Sequence, residues 1–197
     1  SLTDLENLEM VSPSQRTLLS ELIKQRENLV IIGSTGSGKT TLLNSVMAEL
    51  PTNERVIIIE DTNELRVPNL ISAKLVSRPG QKNMFEEIGQ DDLVKESLRL
   101  RPDRIVVGEV RGGEAKDLLM ALATGHRGSL GTLHADNPNQ ALIRLEMLIQ
   151  MGAPQWSLQA IRRLIFLSLQ FIVQVRRSQE GKRFVEGIYK ISSLEDF

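Results

Sequence analysis

Eight residues, Gly33-Ser34-Thr35-Gly36-Ser37-Gly38-Lys39-Thr40, leave this 197-residue chain few ways to fold. They match G-x-x-x-x-G-K-[ST], a loop that closes around phosphate. Its glycines let the backbone bend tightly and turn its N–H groups inward. The helix that follows adds the partial positive charge of its N-terminus. Lys39 is placed to reach the β- and γ-phosphates, and the Thr40 hydroxyl suits Mg²⁺. At ordinary residue usage, a chain of this length meets the pattern by chance in roughly 1% of cases. The setting narrows the reading further, because such a loop works only between a buried strand and a helix. Both are predicted: residues 29–32 are an apolar run ending at glycine, and residues 40–50 read as a helix stopped by Pro51.

The rest of the chain alternates in the same way. Apolar runs at 56–59 and 104–107, a weaker one at 74–77 and one at 130–134 read as strands. Between them, Asp91 is a candidate cap for a helix reaching about Leu100, with Pro102 beyond it. Residues 114–123 place Leu118, Leu119 and Leu122 on one side, and Gly125 is set to end that helix. Asn137, Pro138 and Gln140 start another, whose stripe is Ala141, Leu142, Leu145, Leu148 and Ile149. Continuous apolar strands separated by helices predict an α/β fold, a mostly parallel sheet covered on both faces. Residues 171–175 and 183–191, joined across 178–181, add an antiparallel hairpin at the C-terminus. Residues 1–12 read as a lead-in to the first helix.

Composition removes several functions. Lys plus Arg total 24 against 25 Asp plus Glu, so no basic excess argues for nucleic acid. Five Phe, one Tyr and one Trp leave few rings for stacking single-stranded bases. No direct DNA binding is expected. With no Cys there is no disulfide, thiolate metal site or thiol nucleophile. The longest apolar stretch, near residues 164–175, is too short for a membrane helix and is broken by Ser168, Gln170 and Gln174.

In parallel sheets ligands sit beyond the carboxyl ends of the strands. Residues 57–59 run into Glu60-Asp61, and 105–107 run into Gly108-Glu109. A lone strand-end carboxylate is ordinarily solvated; two of them in a phosphate-loop chain converge on the loop. Gly108 occupies the slot where many such ATPases carry a metal-binding acid. Glu109 then suits orienting and activating water, and Glu60 suits holding Mg²⁺ through water or supporting the nucleophile. His126 and His134 are eight residues apart, roughly 26 Å if extended, so they cannot share one ion. His134 ends a strand-like run and either senses the γ-phosphate or is an ordinary hydrogen-bonded histidine.

Together these segments resemble the type II/type IV secretion ATPase superfamily, the traffic ATPases. The matching pieces are the loop extended through Thr41, the aspartate-box-like 57–65, the Walker B region 100–115, and the histidine box from Thr124-Gly125-His126 to Thr132-Leu133-His134-Ala135. The likeness spans essentially residues 1–190. Gly108 is usual in that family. Motif for motif the chain looks nearest to the CpaF-type ATPases of Flp (tight-adherence) pili, with TrbB-type conjugative ATPases close behind.

The resemblance implies a RecA-like core at 13–197 and, at 1–12, a linker from an N-terminal domain. It implies Glu109 as catalytic acid, assisted by Glu60, Lys39 and His134. Mg²⁺ is then held by Thr40, Glu60 and Glu109. ATP lies between the two domains of a ring-shaped homo-hexamer. That ring docks on inner-membrane platform proteins from the cytoplasmic side and powers pilus assembly or secretion. Arginines often complete such sites; Arg78, Arg101, Arg104 and Arg111 are local candidates, Arg111 first. Two other functions share these motifs: a conjugative ATPase or RecA-like DNA translocase, and a nucleotide-gated interaction module with little hydrolysis.

Overall fold

The computed structural model describes residues 1–80 and 86–193. The first helix, α1 (Leu2–Asn7), begins at a capping box: the Ser1 hydroxyl accepts the Asp4 N–H at 3.3 Å and the Asp4 carboxylate accepts from the Ser1 amino group at 2.8 Å. Helix α2 (Pro13–Lys24) starts at a second such box, Ser12 with Gln15, and precedes β1 (Leu29–Ile32). Then come α3 (Lys39–Met47), β2 (Val56–Glu60), β3 (Ala73–Val76) and α4 (Gln90–Ser97), the last continued by one 3₁₀ turn. The chain goes on through β4 (Arg104–Val107), α5 (Glu114–Ala123), β5 (Leu130–Leu133) and α6 (Pro138–Gly152). It ends in α7 (Leu158–Ser168), β6 (Phe171–Arg177) and β7 (Arg183–Lys190).

One seven-stranded sheet runs β3-β2-β4-β5-β1-β6-β7. Every neighbouring pair is parallel except β6 with β7, the expected hairpin. Alternation along the strands divides the core. Val30 and Ile32 pack with α5, α6 and α7, while Leu29 and Ile31 pack with α1, α2 and α3. The α/β sheet covered on both faces is therefore present, with β1 near its middle.

Several boundaries differ from the sequence expectation. Asp91 lies inside α4; Gly89 is its N-cap, and the Asp92 carboxylate accepts the Gly89 N–H at 3.2 Å. The apolar stretch 164–175 divides between the end of α7 and β6, because Ser168 ends the helix and its hydroxyl donates to the Leu119 carbonyl at 2.8 Å. Residues 1–12 stay out of the sheet but are no loose lead-in. Leu2, Leu5, Met10 and Val11 are buried, and α1 packs on α3.

That packing predicts a cost. Leu5→Ala should destabilise the chain by about 3 kcal/mol, read as a lowered midpoint in urea. A change under about 0.5 kcal/mol would mean that residues 1–12 contribute nothing to the fold.

Candidate functional site

Because β1, β2, β4 and β5 are parallel, their carboxyl ends lie along one edge of the sheet. A cavity of about 360 Å³ opens there. Its floor and one wall are Thr35, Gly36, Lys39 and Thr40 of the phosphate loop; the facing wall is Glu60 with residues 61–65, then Gly108, Glu109, Arg111 and Thr132.

The loop leaves β1 at Gly33, and Gly38 is the N-cap of α3. Gly36 and Gly38 have left-handed backbones, φ +74° and +101°, where other residues are strained. Lys39 bends back so that its Nζ donates to the carbonyls of Gly33 (2.8 Å) and Ser34 (3.0 Å). Burial lowers the Lys39 pKa, and the negative charge of Glu109 acts in the opposite direction. The Ser37 side chain is buried, and its Oγ has no hydrogen-bond partner among the described residues. Thr41, read as part of the loop, lies one position beyond and faces solvent on α3.

Opposite the loop, Glu60 is 3% exposed. Its Oε2 accepts the N–H groups of Glu64 and Leu65, both at 3.0 Å, and its Oε1 pairs with Lys74 Nζ at 2.9 Å. Lys74 also donates to Asn63 Oδ1 and the Leu65 carbonyl. Glu60 thus organises the 61–65 segment through Oε2, while Oε1 makes the ion pair with Lys74 and accepts no hydrogen bond among the described residues. Arg111 bridges two acids: its Nη2 lies 2.9 Å from Asp61 Oδ2 and its Nε 3.2 Å from Glu109 Oε2. The Ser77 hydroxyl donates to the other Asp61 oxygen at 2.7 Å. Buried Glu114 aims this turn by accepting the N–H groups of Arg111 (2.7 Å) and Gly112 (2.8 Å).

Gly108 has a steric reason. A Cβ there would stand 3.0 Å from the Glu60 Cβ, because β2 and β4 are neighbours and Gly108 N–H continues their ladder to the Ile59 carbonyl at 2.8 Å. The acid that follows β4 in the cavity lining is Glu109, one residue further on.

Of the residues expected at the site, Thr35, Gly36, Lys39, Thr40, Glu60, Glu109 and Arg111 line the cavity. Gly33, Ser34, Ser37 and Gly38 shape the loop behind it. His134 sits just past β5, half-buried, outside the lining and without a hydrogen bond among the described residues. Arg104 belongs at the opposite end. It is 1% exposed, pairs with Glu54 and donates to the carbonyls of Ile23 (3.0 Å) and Gly128 (3.1 Å). It holds the fold together and does not reach the cavity. Arg78 pairs through its backbone with Ile88 at the sheet edge, and Arg101 is exposed after the 3₁₀ turn.

Asp61 and Thr132, inside the quoted motifs but given no role by them, join the cavity lining, and Lys74, which no motif contains, joins through Glu60. Thr132 has one weak signal, a hydroxyl inside an apolar strand; its Oγ1 donates to the Gly108 carbonyl at 2.6 Å.

The cradle fits a polyphosphate: a left-handed loop, an orphaned Ser37 hydroxyl and a lysine satisfied only by carbonyls. Thr40 fits a metal ligand. No group of three or more His, Asp or Glu among the described residues is arranged to hold an ion. Mg²⁺ would therefore take most of its oxygens from phosphate and water, its usual habit.

The family described as "Type II/IV secretion system protein" matches residues 1–185. The conjugal transfer protein TrbB of Rhizobium radiobacter is 37% identical over 191 residues, covering 95% of this chain and 56% of its own. The type IV secretion system protein VirB11 of Bartonella quintana is 36% identical over 182 residues, covering 90% of this chain and 48% of its own. The crystal structure of the VirB11 ATPase from the Brucella Suis type IV secretion system, in complex with sulphate, aligns at TM-score 0.81 and 29% identity, over 96% of this chain and 54% of that one. The chain thus spans about half the length of the curated relatives it matches.

The lowered Lys39 pKa has a pH signature. Below the ordinary lysine value of 10.5, the unfolded chain holds this proton more tightly than the folded one. Stability from this group therefore rises with pH through the window below 10.5. Urea unfolding at pH 8 and pH 10 should show wild type gaining on Lys39→Met; equal changes in both would remove the desolvation account.

Proposed function

This chain belongs to the type II/IV secretion system protein family, and we propose that it binds ATP with Mg²⁺ and hydrolyses it. The observation that carries the proposal is the facing pair Lys39 and Glu109 across one cavity, on adjoining stretches of the same sheet edge. Lys39 exchanges its two carbonyl partners for β- and γ-phosphate oxygens. The Thr40 hydroxyl would hold Mg²⁺, which would supply positive charge against the phosphate oxygens. Glu109 orients the attacking water and accepts its proton as the γ-phosphoryl group passes from ATP to that water, with ADP as the leaving group. Glu60 acts through the 61–65 wall, and would support the metal or the nucleophile only through water. Arg111, half-exposed and paired with Asp61 and Glu109, is the second cation of the cavity lining and would exchange an acid partner for phosphate. His134 follows β5 at the same edge, outside the cavity lining.

The proposed setting is a homo-hexamer at the cytoplasmic face of the inner membrane, docked on platform proteins, with an N-terminal domain joined through residues 1–12. No helix among the described residues is long and apolar enough to cross a membrane, so attachment through partners accords with this setting. The work done is pilus assembly or protein secretion. The name of the TrbB relative favours a second reading, a motor of conjugation.

Lys39→Ala should abolish nucleotide binding. Glu109→Gln should keep binding and lower kcat by about a hundredfold or more; full turnover in that variant would remove Glu109 as the base. Turnover per subunit should climb steeply with protein concentration if neighbouring subunits complete the site. Stimulation by DNA would favour the translocase reading, and binding without turnover at any concentration the gated module.

A further inference from the structure

The C-terminal hairpin does more than extend the sheet. β6 pairs with β1, and its Val175 carbonyl lies 2.4 Å from where a Cβ on Gly33 would stand. β7 then brings Arg183 over the phosphate loop. Arg183 Nε donates to the Gly36 carbonyl at 3.0 Å. Its Cδ is 3.1 Å from where a Cβ on Gly38 would stand, beside Met10 Cε at 3.0 Å.

A trans peptide points its C=O and N–H in opposite directions. Holding the Gly36 carbonyl outside the loop therefore turns the Ser37 N–H inward, where it now donates to the Ser34 carbonyl at 3.2 Å. That N–H is one of those a phosphate would claim. An unheld glycine peptide flips easily, since Gly36 has no side chain to resist. A guanidinium donor is well suited to the task, because a bond from a charged group is stronger than a neutral one.

The same strand grips the N-terminal segment. Val185 N–H donates to the Met10 carbonyl at 2.7 Å, and Gln15 Nε2 donates to the Val185 carbonyl at 3.0 Å. At the hairpin end Lys182 pairs with Glu9, a residue held at a left-handed φ of +56°. Met10 thus touches both the loop and the strand that holds the loop.

We propose that Arg183 is a positioning residue for nucleotide binding: it orients the Gly36–Ser37 peptide of the phosphate loop and, with Met10, couples occupancy of that loop to residues 9–12. This rests on the nucleotide-site reading. It assigns the hairpin a role in binding, and it gives residues 9–12 a direct mechanical contact with the phosphates' cradle.

The test uses the full chain, ADP with Mg²⁺, calorimetry and amide hydrogen exchange. Arg183→Met keeps most of the stem and loses the donor; it should weaken ADP binding about tenfold with a melting temperature within a few degrees of wild type. Arg183→Lys keeps the charge but cannot place a donor at the Nε position, so it should behave like Arg183→Met. In wild type, saturating ADP should slow exchange at residues 9–12, and Arg183→Met should lose that protection. If wild type binds ADP but exchange at 9–12 is unchanged, the coupling is overturned without recourse to any variant. Wild-type affinity in Arg183→Met overturns the positioning role, and wild-type affinity in Arg183→Lys assigns the effect to charge alone and also overturns it. No ADP binding by wild type overturns the nucleotide reading itself.

Discussion

β1 is hydrogen-bonded on both sides, with Leu29 opposite Leu130 of β5 and opposite Phe171 of β6, and all four of its residues are buried. A slip of one residue would exchange Val30 and Ile32 with Leu29 and Ile31 between the two core layers and would move the loop that follows. The phosphate loop starts at the next residue and inherits that position. The same parallel ladder delivers Glu60, Glu109 and His134 to one edge. The site depends on this pairing more than on any single charged group, because the pairing decides which strand ends are neighbours.

The charges at that edge are mutually satisfied. Lys39 is held by loop carbonyls, Arg111 by Asp61 and Glu109, and Glu60 by two amides and Lys74. Each arrangement keeps a buried or half-buried ion from standing unpaired, which would be costly. A polyphosphate brings negative charge that competes for the two cations. In the proposed nucleotide complex Lys39 and Arg111 would change partners, while Glu60, paired with Lys74 and with backbone, would stay with its wall.

Much of this was legible in residue order. The glycine spacing at 33–38, the β-branched runs before Glu60 and Glu109, and the stripe on α6 each have a local physical cause, and the structure reproduces them. Less visible were contacts that depend on topology. Nothing at Arg104 separates a buried brace from a phosphate ligand until the strand's direction places it at the far end. Residues 1–12 look like a linker, because two buried leucines in a six-residue helix carry too weak a periodicity. Arg183 is one arginine among many on a terminal hairpin. Its nearness to Gly36 follows from strand order, β1 beside β6, and no pattern within the hairpin encodes that. Lys74 is hidden for the same reason: its partners Glu60, Asn63 and Leu65 meet it only because β3 lies beside β2.

The tight approach of Gly108 to Glu60 couples two positions that are far apart in sequence. A Cβ at 108 would stand 3.0 Å from the Glu60 Cβ and 3.5 Å from the Ile59 carbonyl, so a side chain there displaces its neighbour by a few tenths of an ångström. The neighbour is the stem of the residue that braces the 61–65 wall, so the strain passes directly to that wall. Substitutions at 60 and 108 are therefore non-additive, the behaviour of residues in contact.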